Sequence, residues 1–301
     1  MLKKLLVTGG GGFLGANILM QAEHGLALHA IDQLPVMLER ENLTWHSIDL
    51  QDRRALQDIF LSLEPDAVIH TAAISDIDYC EANPEKADAV NVGVTLNVAE
   101  LCRRTGARLV FFSSDSVFDG RRGRYRESDT PEPLNQYART KVKAEKGIEE
   151  ILANHIVVRP SLIMGIPVLR TGNSFLWRMI QSLRNGRQVA LPKTEIRSPV
   201  DVLTLSRAAI EIAGNSLTGV LHIAGNESLS RYDMGRRIAL ALGYPVELVV
   251  DTQPEVAGGR APRPADASLD NGKAKRVLKT PMKDFDEAMK FIIANKGDRE
   301  L

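Results

Sequence analysis

The apolar positions of this chain fall into short runs that alternate with stretches of helical spacing. Leu5-Leu6-Val7 predicts a buried strand over residues 4–8, and the pattern through Ala16, Ile18 and Leu19 predicts a helix over 13–24. Leu26 to Ile31 reads as a second strand ending at Asp32, and Thr44 to Ile48 as a short third strand followed by Asp49-Leu50. Asp52 suits the N-cap of the next helix, where Leu56, Ile59 and Phe60 recur at helical spacing as far as Leu63. Pro65-Asp66 turns into a fourth strand, Ala67 to His70, which leads into Thr71-Ala72-Ala73. A long helix is expected from Pro84, at its first turn, to Arg104, stopped by Gly106. Arg108 to Phe112 is a fifth strand and delivers Ser113-Ser114-Asp115. After an irregular segment from Asp119 to Pro133, a helix runs from Asn135 to Ala153, and Ile156 to Val158 forms a sixth strand ending at Arg159-Pro160-Ser161.

Beyond Ser161 the alternation loosens. Helices are expected over Phe175–Leu183, Val202–Ala213, Ser230–Leu242, Lys273–Leu278 and Asp284–Ala294, with strands at Val189–Leu191, Gly219–Ala224 and Glu247–Val250. Strands alternating with helices predict an α/β fold with a Rossmann-type, doubly wound parallel sheet. The expected division is a dinucleotide-binding domain over 1–165, joined by 200–224, and a smaller, partly interleaved C-terminal α/β substrate-binding lobe over 166–301. Ligands of such sheets lie beyond the carboxyl ends of the strands. Gly9–Gly15, Asp32, Asp49, Ala72-Ala73, Ser113-Ser114 and Pro160-Ser161 all follow predicted strands, so all are placed on one edge.

Charge and composition narrow the function. Lys plus Arg equals Asp plus Glu at 38 each, which gives no electrostatic case for nucleic acid or an anionic membrane. No apolar stretch reaches the length of a membrane span, and a cytoplasmic protein is expected. The cysteines, Cys80 and Cys102, form no disulfide framework, and the six histidines have no ligand spacing, so no metal site is expected.

The candidate chemistry begins at Val7-Thr8-Gly9-Gly10-Gly11-Gly12-Phe13-Leu14-Gly15. A strand, a glycine loop and a helix let backbone N–H groups face a phosphate, and glycine admits the close approach. The register is open by itself, because both Gly9-x-x-Gly12-x-x-Gly15 and Gly10-x-Gly12-x-x-Gly15 fit. Asp32 can accept hydrogen bonds from the hydroxyls of an adenosine ribose and would repel a 2′-phosphate, which favours NAD, with NADP the second candidate. Tyr137 and Lys141 stand four residues apart on one helical face, where a cation is expected to lower the phenol from its ordinary value of about 10 toward general acid–base range. Ser114 adds a hydroxyl for a substrate carbonyl. Each residue has an ordinary alternative: a turn aspartate, an exposed Tyr–Lys pair, a strand-end serine. Their combination in one strand–helix alternation favours the chemical reading.

These motifs resemble those of an extended short-chain dehydrogenase/reductase, through Thr8-Gly9-x-x-Gly12-x-x-Gly15, Asp49-Leu50, His70-Thr71-Ala72-Ala73, Ser114 and Tyr137-x-x-x-Lys141. Phe112 to Gly120, Pro133 to Tyr137 and Arg263 to Asn271 narrow the resemblance to the dTDP-4-dehydrorhamnose reductase family. Asp32, the strand-end residues and Tyr137-x-x-x-Lys141 settle the glycine register as Gly9, Gly12, Gly15. The resemblance implies that Gly9, Gly12, Phe13, Leu14 and Gly15 hold a pyrophosphate, Asp32 the adenosine ribose, and Asp49 and Leu50 the adenine. Ala72, Ala73, Pro160 and Ser161 would border the nicotinamide, with Lys141 on its ribose and Asn91 ordering a helix and a water near that lysine. Tyr137 would give a proton to the substrate oxygen held by Ser114. Ser75, Asn173, Arg197, Arg260 and Arg263 are implied for the substrate, the arginines for a diphosphate.

The implied activity is NAD(P)H-dependent reduction of a keto group on a nucleotide-linked deoxysugar, in a chain that can form a homodimer. Pro160-Ser161-Leu162 lacks the Trp common in that family, and Asp115 is followed by Ser116 rather than the Glu of dehydratases. The alternatives are a non-catalytic regulatory homologue that retains the dinucleotide, as in a regulatory subunit of methionine adenosyltransferase, and a nucleotide-sugar epimerase.

Overall fold

The computed structural model describes residues 2–36, 38–169, 174–252 and 260–297. The chain opens with β1 (Lys4–Thr8), α1 (Phe13–Gln21), β2 (Ala27–Asp32), β3 (Leu43–Ser47), α2 (Arg53–Leu63) and β4 (Ala67–His70). Then come α3 (Ile77–Ala82), α4 (Pro84–Asp88), a π-helical segment at Ala89–Val94, α5 (Thr95–Thr105), β5 (Arg108–Phe112), α6 (Gln136–Ile151) and β6 (His155–Pro160). The remainder is β7 (Ile163–Met164), α7 (Phe175–Arg184), β8 (Val189–Leu191), β9 (Ile196–Arg197), β10 (Val200–Asp201), α8 (Val202–Ala213), β11 (Gly219–Ile223), β12 (Leu229–Ser230), α9 (Arg231–Ala241), β13 (Val249–Asp251), α10 (Gly272–Val277) and α11 (Phe285–Ala294).

Seven of these strands form one parallel sheet in the order β11-β6-β5-β4-β1-β2-β3. The order reverses direction between β1 and β4, the switch point at which such sheets bind ligands. Strand pleating sorts the core. Leu5 and Val7 face a cluster with Ile18, Leu19, Leu205 and Ala209 from α1 and α8, whereas Leu6 faces Phe60, Val98 and Ile148 from α2, α5 and α6. Both faces of the sheet are covered, which is why its strands read as continuous apolar runs.

The expected strands over 4–8 and Ala67–His70 have the predicted bounds, and Asp52 caps α2 by accepting from Arg54 and Ala55 N–H. The expected single helix over Pro84–Arg104 is instead three consecutive segments, with one wide π turn in the middle. The strand expected over Glu247–Val250 begins as a 3₁₀ turn, Val246–Leu248, before β13. Beyond β6, α7, α9 and α11 share a separate apolar cluster through Leu176, Met179, Met234, Ile238, Phe285 and Met289. Around it lie the two-residue strands β7, β9, β10 and β12, which are too short for any periodicity to announce. Cys80 and Cys102 are both free and buried.

Candidate active site

The glycine loop closes under steric compulsion. Gly9 has φ +72°, and a Cβ there would lie 2.8 Å from Ala72 N; a Cβ on Gly15 would lie 2.1 Å from Gly9 O. These two glycines therefore let β1, the loop after β4 and the start of α1 touch. Asp32 accepts from Gly11 N–H at 2.9 Å and from Leu34 N–H at 3.0 Å, tying the end of β2 to the loop. Gly12 is the N-cap of α1 and no side chain caps that helix, so its first turn offers N–H groups to an anion. Phe13 and Leu14 begin it. Asp49 and Leu50 follow β3, Ala72 and Ala73 follow β4, and Ser161 follows β6, whose last residue is Pro160. The parallel registers put all of these on one sheet edge.

Ser114 follows β5, and Tyr137 and Lys141 sit on α6, whose N-cap Asn135 accepts from Ala138 N–H. The Ser114 hydroxyl accepts from Ser116 N–H at 3.1 Å and donates to Asp115 Oδ1 at 3.3 Å. Lys141 is buried; its ammonium donates to Phe112 O at 2.9 Å and lies 5.8 Å from the Tyr137 ring centroid. One of its three hydrogens is thereby used. Burial pulls the lysine down to about 8, with Glu145 opposing.

The expected lowering of Tyr137 is not what the structure has. Burial and the nearby Asp115 charge push the phenol above its ordinary value, with the neighbouring Ser114 hydroxyl opposing them. The i, i+4 spacing brings the lysine over the ring rather than to the hydroxyl.

Asn91 is completely buried at the π turn. Its Oδ1 accepts from Ile74 N–H at 2.8 Å, and its Nδ2 donates to Ile74 O at 3.0 Å and Thr140 Oγ1 at 3.1 Å. It was expected to order a helix and a water near Lys141; its amide is spent on the Thr71–Ser75 loop and on Thr140 of α6. Ser75 is exposed on that loop. Asn173 lies outside the described residues.

The arginines expected at the substrate are already engaged. Arg197 donates to Ile196, Pro264 and Ala265 carbonyls and approaches Asp115 at 3.6 Å. Arg260 pairs with Glu195 at 2.8 Å, and Arg263 grips Asp78 with two bonds of 2.7 Å. These contacts strap residues 260–266 across α3 and the start of α6, where Asn135 donates to Pro262 O.

Arg231 is the residue that sequence reasoning missed. It opens α9, its guanidinium lies over the Phe175 ring, and the nearest carboxylate, Glu195, is 3.9 Å away. Its buried Nε has no hydrogen-bond partner among the described residues. Burial and the charge of Arg197 pull it down to about 10. Arg197, Arg231 and Arg260 thus face two carboxylates, Asp115 and Glu195, which leaves an uncompensated positive charge. An arginine beginning a helix carries no signal in the sequence, since the charge balance depends on partners distant along the chain. Among the described residues no group of three or more side chains is arranged for a metal ion.

Comparison with known proteins gives consistent results. The family model described as RmlD substrate binding domain matches residues 3–297. The chain is 31% identical over 275 residues to methionine adenosyltransferase 2 subunit beta of Bos taurus, covering 89% of this chain and 80% of that one. The crystal structure of dTDP-4-dehydrorhamnose reductase from Bacillus anthracis in complex with NADP superimposes with a TM-score of 0.87 at 24% identity, over 98% of this chain and 99% of the other. A hypothetical dTDP-4-dehydrorhamnose reductase from Sulfolobus tokodaii gives 0.82 at 29% identity, over 94% and 98%.

Proposed function

The chain belongs to the RmlD substrate binding domain family, and from that premise we propose that it reduces a keto group on a nucleotide-linked deoxysugar with a nicotinamide dinucleotide. The observation that carries this reading is the meeting of half-buried Ser114 and Tyr137 with buried Lys141 on the ligand edge of the sheet, the lysine being fixed beside the Tyr137 ring by its bond to Phe112 O. Reduction consumes a proton at the substrate oxygen, and a protonated tyrosine supplies one.

The residues fit the dinucleotide. The uncapped first turn at Phe13, Leu14 and Gly15, with Gly9 and Gly12, holds the pyrophosphate; Asp32 takes the adenosine ribose, between its bonds to Gly11 and Leu34. Asp49 and Leu50 border the adenine; Ala72, Ala73, Pro160 and Ser161 border the nicotinamide. Lys141 has two hydrogens left for ribose hydroxyls. When bound, the reduced nicotinamide supplies hydride. Ser114 then turns its hydroxyl to the keto oxygen, and Tyr137 donates the proton as negative charge develops there. Arg231, with Arg197 and Arg260 near it, receives the anionic nucleotide part of the substrate, and Arg263 and Ser75 border it. NAD is preferred over NADP because Asp32 repels a 2′-phosphate.

The test is titration of the purified chain with NADH and NADPH, followed by dTDP-4-dehydrorhamnose and other 4-keto nucleotide sugars. Saturable binding, tighter for NADH, with loss of reduced nicotinamide on adding sugar is expected. Tighter NADPH binding contradicts the Asp32 role, and a flat trace across the sugars contradicts the reductase reading. The identity to a methionine adenosyltransferase subunit favours one second reading, a regulatory subunit that binds the dinucleotide without turnover. It predicts the binding and the flat trace together.

A further inference from the structure

His70 ends β4, is wholly buried, and has both ring nitrogens hydrogen-bonded: Nδ1 to Thr8 Oγ1 at 2.6 Å and Nε2 to Thr95 Oγ1 at 2.9 Å. The donors can be counted. Thr95 has one hydroxyl hydrogen, and it goes to Asn91 O at 2.8 Å. The Thr95 oxygen must therefore accept from His70, which puts the imidazole proton on Nε2. His70 Nδ1 is then an acceptor, and the Thr8 hydroxyl donates to it. The opposite tautomer would turn the Thr95 hydrogen away from Asn91 and leave the buried Thr8 hydrogen with no acceptor among the described contacts.

Continued outward, the same count gives a chain of one polarity. Thr8 donates to His70, His70 to Thr95, and Thr95 to Asn91 O; the Asn91 amide donates to Thr140 Oγ1, and Thr140 to Tyr137 O at 2.7 Å. Thr8 immediately precedes Gly9, and Tyr137 is the proton donor. Between them the Thr71–Ser75 loop is clamped at both ends. Thr71 bonds Thr8 O through its N–H at 3.2 Å and its hydroxyl at 2.8 Å, while Ile74 bonds both ends of the Asn91 amide. The π turn at Ala89–Val94 aims Asn91 at both Ile74 and α6. His70 stands at the hub.

We infer that His70, as the neutral imidazole protonated on Nε2, is a positioning residue that locks the glycine loop, the Thr71–Ser75 loop and the Tyr137 helix into one register. Its consequence for cofactor affinity rests on the dinucleotide reading above; its protonation form does not. Burial, with the Lys141 charge, holds the imidazole down to about 3, so the form persists at neutral pH.

The test uses the full chain labelled with ¹⁵N-histidine, the His70 signals being identified by their loss in His70→Gln. A neutral Nε2–H pattern at pH 7 is expected; an Nδ1–H or imidazolium pattern overturns the inference, whether or not the protein binds NADH. NADH titration then reads positioning. His70→Leu removes donor and acceptor and is expected to weaken NADH by about tenfold, the scale of a lost buried hydrogen bond. His70→Gln can accept and donate and is expected to recover most of that loss. Thr95→Val, which removes the Nε2 acceptor together with the hydroxyl's bond to Asn91 O, is expected to weaken NADH as well and serves if His70→Leu does not fold. NADH affinity unchanged in a folded His70→Leu or Thr95→Val overturns the positioning role. If the wild type binds no NADH, the dinucleotide reading fails instead, and the ¹⁵N pattern still decides the protonation form.

Discussion

The edge of the sheet proposed for the dinucleotide and the region proposed for the substrate are built on different principles. The first is fixed by backbone geometry. Gly9 and Gly15 stand where a Cβ would meet main-chain atoms, and Asp32 ties its strand to the loop through N–H groups. The second is fixed by charge. Asp78 holds Arg263, Glu195 holds Arg260, and Arg197 spans Asp115 and the carbonyls of the strap. Backbone geometry tolerates no alternative, whereas ion pairs can be rearranged residue by residue. A fold of this kind can keep one cofactor and change its substrate.

The sharpest way to break the contrast is to add one methyl group to each region. Gly15→Ala sets a Cβ 2.1 Å from a carbonyl oxygen, and loss of measurable NADH binding in a titration is expected. Gly235→Ala on α9 meets only side-chain ends, Leu191 Cδ1 at 2.4 Å and Val249 Cγ1 at 3.0 Å. These can shift, at a cost of about 1–3 kcal/mol, part of which a better helix former returns. Gly235→Ala should keep NADH affinity and lose a few degrees of melting temperature at most. Equal damage from both would erase the distinction.

Next in size is Tyr137→Phe, which keeps the ring and removes the phenolic hydroxyl. Turnover should fall by about 10²–10⁴, with NADH affinity unchanged by titration. Arg231→Met isolates the substrate region. Its guanidinium carries a buried Nε without a hydrogen-bond partner, so KM for the nucleotide sugar should rise by about tenfold or more while NADH affinity holds and the melting temperature stays level or rises. A fall in NADH affinity would show that the regions are not separable.

The regions also differed in what the sequence disclosed. The strands at 4–8 and 67–70 and the placing of Tyr137 and Lys141 on one helix were legible, because each depends on residues a few positions apart. The strap was not. Arg263 and Asp78 are 185 residues apart, and nothing local marks them as partners. The direction of the Tyr137 shift was also hidden, because helical spacing tells which groups are near but not that Asp115 is nearer in effect than Lys141. The π turn reads as ordinary helix for the same reason: its cause, the hold of Asn91 on Ile74, is tertiary.

The smallest effect at neutral pH concerns two buried histidines, His70 by the glycine loop and His222 in β11, both held to about 3 by burial. Between pH 3 and 6.5 the unfolded chain binds protons that the folded chain refuses, so stability rises with pH across that window. Each histidine contributes about 1.4 kcal/mol per pH unit there and nothing above it. Urea unfolding at pH 7 and pH 5 should show the loss, and His222→Gln should remove part of the slope without touching NADH affinity.

The central claim is that Tyr137 and the nicotinamide act together on a keto sugar bound by the arginine region. The most direct measurement gives the enzyme NADH carrying deuterium at the transferable C4 position, with dTDP-4-dehydrorhamnose, and locates the label by mass spectrometry and NMR. The account predicts one deuterium at C4 of the sugar product, NADH consumed mole for mole, and transfer slowed by about 10²–10⁴ in Tyr137→Phe. Saturable NADH binding with the label retained on the cofactor, or an epimerised sugar with no net NADH consumed, would contradict it.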